Sequence, residues 1–305
     1  MNKNYIILFL ILVIFISGCK QATDKTEGPF KGGNSGVDIS FVEGTPPSNF
    51  NQDQTVPVKV SVKNNGEHDL ATGVVKAKLF GVILDNFGLT SSYKVAEGNL
   101  RGISEFITEG AEREINLGNM HYNLDVVNFK TFNLRAQVCY PYQTKSHITT
   151  CVSSTQIKET GKEICSTEGE KVTKGSVSSA PVQITSLKEQ VRGSDQIVYD
   201  ITIENKGNGI IYDTTITCEQ LEDAVQRWTA QSIVKLEVLP ADIRCGFLEG
   251  EGNKGEVKLI SNKKTLSCIQ TIKDTTSSAE QDISITLDYM YVSDTSKEIK
   301  IFETV

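Results

Sequence analysis

Cysteines are the residues in this chain best placed to do chemistry, and there are seven. Zinc sites usually show ligand pairs close in sequence. No CxxC occurs, and His68, His121 and His147 are scattered. The spacing therefore argues against a metal centre and nothing in it favours a redox-active pair. Six thiols, Cys139, Cys151, Cys165, Cys218, Cys245 and Cys268, form an even set, which in an exported chain reads as disulfides. Cys139 and Cys151 bracket CYPYQTKSHITTC. Pairing them would close a hairpin loop and contribute about 3 kcal/mol. Cys245 and Cys268 flank a second expected hairpin. Cys165 and Cys218 are then left for each other. Six cysteines allow 15 connectivities, so the first pair leads and the other two stay open.

Other chemistry is thinly represented. There is no GxSxG, HExxH or P-loop. The glycines between Gly32 and Gly36 do not follow a strand, so they are not a phosphate cradle. Carboxylates such as Asp53, Asp69, Asp85, Glu109, Glu112 and Glu114 show no EF-hand spacing and read as solvated loop charges. No catalytic residue, metal or cofactor is expected. No Asn-x-Ser/Thr sequon is present.

The seventh cysteine has a different context. Lys3 is followed by an uncharged apolar run from Tyr5 to Ile16, then by Ser17, Gly18 and Cys19. This is the order of a secretory signal. The run is short against the roughly 20 residues of a spanning helix. Ile-Ser-Gly-Cys resembles a bacterial-type lipobox, which implies cleavage and a lipid on Cys19. An uncleaved N-terminal anchor is the alternative. Both readings put the body of the chain outside the cytoplasm, with the membrane as a partner.

Two aromatic sites are candidates for a binding surface. Tyr140 and Tyr142 would be exposed on a loop held by a Cys139–Cys151 bridge, giving a rigid contact patch. Tyr140 packing on the sheet, with Tyr142 covering the disulfide, is the competing reading. Trp228 lies in the stretch Glu219 to Gln231, where Leu221, Ala224, Val225 and Trp228 share a helical face. That stretch reads either as a short helix covering an open end of the second sandwich or as one that displays Trp228 for binding.

The elements that must position these residues are strands. The chain has 305 residues, 38% of them hydrophobic and 23% charged, which suits about two packed domains rather than disorder. The net charge of -7 and the lack of a basic block argue against nucleic acid as a partner. Val56, Val58, Val60 and Val62 alternate with polar residues, the mark of a half-buried strand. Similar runs cover Val74 to Phe80, Thr131 to Tyr140, Val182 to Leu187, Ile197 to Glu204, Ile233 to Leu239, Glu256 to Ile260, Thr265 to Gln270, Ile283 to Tyr291 and Glu298 to Phe302. Ile148 to Val152 is expected to pair with the Thr131–Tyr140 strand as a hairpin. VSVKNNGEHDLATG and ITIENKGNGIIYD are two versions of one layout: strand, Asn/Gly turn, strand. They point to two copies of one domain type.

The expected architecture is all-β, with two tandem immunoglobulin-like β-sandwiches. Residues 1–18 are the signal, 19–36 a flexible tether, 37–155 the first sandwich, 156–179 a linker and 180–305 the second.

VPVKVSVKNNGEHDLATGVVKAKLFG resembles the opening of CARDB-like and related immunoglobulin-like modules of prokaryotic surface proteins. LRGISEFITEGAEREINLGNMHYN, FNLRAQVCYPYQTKSHITTCVS and SAPVQITSLKE are similar to a family of uncharacterised two-domain archaeal surface lipoproteins. The resemblance implies an exported adhesion or scaffold role, with a cell-envelope protein or glycan as partner, and offers no catalytic residues. Two other classes stand beside that expectation. A solute-binding lipoprotein of a transporter would need α/β lobes around a cleft. A carbohydrate-active envelope enzyme would need two facing acids in a deep cleft.

Overall fold

The computed structural model of the chain describes residues 28–154, 164–247, 249–273 and 276–304. Cys19, the expected signal 1–18 and the 19–27 half of the expected tether lie outside the described residues, as do residue 155 and the 156–163 part of the expected linker. No helix among the described residues is long and apolar enough to cross a membrane.

The fold is all-β. In the first half the strands are β1 (Val37–Phe41), β2 (Asn49–Asn51), β3 (Val56–Asn64), β4 (Lys76–Phe80), β5 (Lys94–Val95), β6 (Glu112–Met120) and β7 (Phe129–Val152). The second half contains β8 (Val182–Arg192), β9 (Gln196–Asn205), β10 (Ile210–Tyr212), helix α1 (Ala224–Ala230), β11 (Ile233–Leu239), β12 (Arg244–Cys245), β13 (Glu249–Glu251), β14 (Lys254–Lys258), β15 (Lys263–Thr271) and β16 (Ala279–Phe302). They form three sheets: β1-β3-β6; a nine-stranded sheet built on the path β13-β14-β11-β16-β7-β4-β5, with β10 and β2 also on β16; and β12-β15-β9-β8.

Two strands of 24 residues organise everything else. β7 and β16 pair antiparallel over their whole length, from Phe129↔Phe302 to Val152↔Ala279. At roughly 3.4 Å per residue each is about 80 Å long. Alternation keeps one face of β7 buried through Leu134, Ala136, Val138, Tyr140, Tyr142, Thr144, Ser146, Ile148 and Thr150. Ile283, Ile285, Leu287, Tyr289, Tyr291, Ile299 and Ile301 do the same on β16. The two smaller sheets cover this face side by side, and their inner residues join one core.

The two halves are copies. Val37 pairs with Asn64 as Val182 pairs with Asn205. Lys63 pairs with Glu112 as Glu204 pairs with Lys263. Lys76 pairs with Cys139 as Lys235 pairs with Asp288. A constant offset carries Tyr140 to Tyr289, Pro141 to Met290 and Tyr142 to Tyr291, and Pro141 pairs with Met290 in the ladder. An approximate two-fold axis therefore passes through the Pro141–Met290 pair. Pro141 is tolerated inside so long a strand because β4 pairing ends at Cys139, leaving a local edge.

This geometry corrects two expectations. Thr131–Tyr140 and Ile148–Val152 are not a hairpin but parts of β7, just as Ile283–Tyr291 and Glu298–Phe302 are parts of β16. Nor do the copies divide as 37–155 and 180–305. The first half of β7 pairs with β4, and its second half runs on beside the second copy. β16 returns the exchange, and its end pairs with β2 of the first copy. Each copy lends the other a strand.

The described ends of the tether and linker are also packed. Phe30 N donates to Gly175 O, Lys31 N and Gly32 N donate to Glu67, and Val177, Ser178 and Ser179 are buried. Lys171 pairs with the buried Glu189 at 2.6 Å, and both Glu189 carboxylate oxygens accept the Cys151 N–H. A carboxylate this buried needs such partners.

Candidate functional site

The four tyrosines around the two-fold axis are not a surface. Tyr140 and Tyr142 are buried, as are Tyr289 and Tyr291, and their rings pack tilted or edge-on at 5.6–6.3 Å. The candidate tyrosine contact patch is thereby excluded and Tyr140 packs on the sheet, as the competing reading had it: with β7 continuous, no loop exists to display the two rings. Each hydroxyl is satisfied. Tyr142 Oη donates to Asn64 Oδ1 at 3.0 Å and Tyr291 Oη donates to Asn205 Oδ1 at 3.1 Å. Tyr140 Oη accepts from Val37 N, and Tyr289 Oη accepts from Val182 N. Burial pushes the Tyr140 and Tyr289 phenols far above their ordinary range, so they serve as neutral hydrogen-bonding groups.

The Asn/Gly turns owe their sequence to these rings. Asn64 Nδ2 donates to His68 O, and Asn205 Nδ2 donates to Gly209 O. A Cβ on Gly66 would lie 2.0 Å from Tyr142 Oη, and one on Gly207 would lie 2.3 Å from Tyr291 Oη. Close approach, not a left-handed backbone, requires glycine at both.

The copies differ most in one connection. Leu70 and Ile211 occupy equivalent buried places, six residues before β4 begins at Lys76 in one copy and 22 residues before β11 begins at Ile233 in the other. Residues 71–75 join Leu70 to β4 in the first copy, whereas 212–234 join Ile211 to the equivalent Lys235 in the second. The longer path holds a 3-10 turn, Gln220–Glu222, and α1. Asp223 caps α1 by accepting from Gln226 N.

This insert crosses onto the outer face of the nine-stranded sheet and is fixed to the first copy. Cys218 bonds to Cys139 of β7. Glu219 pairs with Lys76 at 2.8 Å, and that lysine holds the Glu219 carboxyl below its ordinary range. Glu222 pairs with Lys78, which lies over the Tyr93 ring. Cys139, Tyr212, Ile216, Cys218, Leu221, Ala230 and Met290 form a small second core under it.

The cysteine pairing follows from the long strand. Cys139 and Cys151 are 12 positions apart in one strand, about 40 Å, far beyond the roughly 7 Å limit for a disulfide. They do not pair, and neither do Cys165 and Cys218. Instead Cys139 bonds Cys218, Cys151 bonds Cys165, and Cys245 bonds Cys268 across the β12–β15 ladder.

Trp228 is where the structure leaves an anchor in solvent. It is 77% exposed and its neighbour on the helix face, Val225, is 74% exposed, while Leu221 and Ala230 face inward. The insert covers the middle of the long sheet rather than an open end of the second sandwich, and it does so without Trp228. Along the side of α1 that carries Val225, Gln226 and Thr229 runs a cleft of about 450 Å³, with Trp228 on the same helix but outside its lining. Ile216, Ala230 and Ile233 form its base, Val225 and Thr229 one side, and Asp213, Glu249 and Glu256 the other. Burial, Asp213 and Glu249 raise the Glu256 carboxyl above its ordinary range. No group of three or more His, Cys, Asp or Glu side chains suited to a metal occurs among the described residues.

Comparison with known proteins adds no identity. No family model and no curated protein matches the chain. Among solved structures, the secreted serine protease VesC from Vibrio cholerae is similar at 10% identity and a TM-score of 0.18. That match covers 84% of this chain, and the chain spans about half (51%) of the VesC chain. A similarity at that score carries no argument about fold or activity.

Proposed function

We propose that this is an exported, membrane-anchored binding or structural protein, not an enzyme, held at the outer face of the cell membrane by a lipid on Cys19. Its two copies are read as immunoglobulin-like β-sandwiches of the CARDB-like kind found in archaeal surface lipoproteins. Its partner is a cell-envelope protein or glycan. Three disulfides among the described residues support an oxidising environment.

The observation that carries the reading is the stapled insert. A duplicated frame needs the same connections twice, and the extra residues at 212–234 appear in one copy only. They are bolted to the other copy by a disulfide and two ion pairs, and they end by displaying Trp228. A rigid exposed aromatic is the kind of anchor that dominates recognition surfaces, since little entropy is lost when it docks.

Photo-crosslinking on intact cells tests this reading. A crosslinker placed at Gln226 should give a discrete envelope adduct that Trp228→Ala removes. Persistence of the same adduct in Trp228→Ala would reject the surface. For the anchor, metabolic lipid labelling should be lost in Cys19→Ala, and equal labelling would reject lipidation.

A further inference from the structure

The cleft along α1 combines two properties that together specify a visitor. Its base is apolar, with Ile216 and Ile233 buried and Val225 open along one side. Its other side is anionic. Glu249 and Glu256 stand directly opposite each other in the β13–β14 hairpin, an arrangement that costs stability when both carry charge. Asp213 lies close enough to Glu256 to raise the cost. Lys235 stands directly opposite Glu256 in the β11–β14 ladder and 3.5 Å from Asp213, so it offsets part of this charge, and one cation against three carboxylates leaves the side anionic.

Building on the proposed role of the insert as a binding surface, we infer that this cleft receives a lysine or arginine side chain from a partner polypeptide that packs on Trp228. A long basic side chain fits both halves of the cleft. Its methylene stem would lie along Val225, Ile216 and Ile233, and its head would meet Glu249 and Glu256 at the rim. An anionic glycan would meet repulsion there, and a neutral one would leave the excess of carboxylates over Lys235 uncompensated.

The chain has a single tryptophan, on the helix whose Val225, Gln226 and Thr229 line the cleft, so its emission reports on an occupant that packs across that helix. The probe is acetyl-Leu-Lys-Leu-Lys-Leu-amide, titrated into the full chain, with acetyl-Leu-Glu-Leu-Glu-Leu-amide as the comparison. The lysine peptide should give a saturable emission change that the glutamate peptide does not. The Glu249→Gln/Glu256→Gln double variant should weaken it by roughly tenfold or more, as expected for loss of hydrogen bonds to charged groups. The double variant should unfold no earlier than wild type, since it removes a like-charge contact. Equal responses to the two peptides, no response to either, or an unchanged affinity in the double variant would overturn the inference. The proposed binding role would still stand if the Trp228-dependent adduct on cells survived Glu249→Gln/Glu256→Gln, and would fall separately if that adduct ignored Trp228→Ala.

Discussion

Gly66 and Gly207 show how a single missing carbon sets a turn. Each lies against a tyrosine hydroxyl that also bonds the asparagine two residues before it. Gly66→Ala and Gly207→Ala are each expected to cost about 1–3 kcal/mol, the range for overpacking a rigid site, measured by urea unfolding. Tyr142→Phe or Tyr291→Phe should cost about 1–2 kcal/mol, because the buried amide oxygen of Asn64 or Asn205 loses a donor. His68 adds a pH term. Burial first, then Lys145, holds its imidazole below 6.5. The unfolded chain thus takes up a proton near 6.5 that the folded chain refuses. Stability is full above 6.5 and falls as pH drops through it toward the depressed folded value. The melting temperature should drop as pH falls below 6.5, and His68→Asn should flatten that part of the profile. An identical profile in the variant would remove His68 from the account.

At the level of elements, the disulfides rank by the chain they close. Cys139–Cys218 spans 79 positions, Cys245–Cys268 spans 23 and Cys151–Cys165 spans 14. Chain-entropy arithmetic gives about 4.5 kcal/mol for the first and about 3 kcal/mol for each of the others. Cys139→Ala/Cys218→Ala should therefore lower stability most of the three double variants. It should also expose the insert to proteases before the rest of the chain. Much of this layer was legible. The valines of β3 and the run Ile233–Leu239 announce their strands by alternation alone. The middles of β7 and β16 did not, for a physical reason. At Thr144 and Ser146 the buried face carries hydroxyls, not hydrocarbon, and each finds a carbonyl in the core: Val182 O for Thr144 and Ile285 O for Ser146. Hydrophobic periodicity cannot register a buried polar residue whose partner lies on another strand. Tyr140-Pro141-Tyr142 reads as a turn for the same reason, since the edge that admits Pro141 is created by where β4 stops. The insert's helix was visible as a pattern, but which of its apolar residues faced inward depended on the Cys218 bond.

For the molecule as a whole, duplication and strand exchange make the two copies mutually dependent. The repeat was readable from the paired Asn/Gly turns, whereas the exchange was not, because it depends on long-range pairing between β7 and β16. A protease site placed within 155–163 of the full chain tests the exchange. After cleavage and reduction of the disulfides, the two fragments should still co-elute as one species under native conditions, held by a ladder that runs from Phe129↔Phe302 to Val152↔Ala279. Independent tandem domains would separate.

The continuity of β7 underlies the shared sheet, the burial of the tyrosines and the placement of the insert, and it is read most directly by peptide mapping of the unreduced full chain. Linked peptides joining Cys139 to Cys218 and Cys151 to Cys165 are the predicted result. A peptide joining Cys139 to Cys151 would require the strand to fold back on itself and would contradict the account.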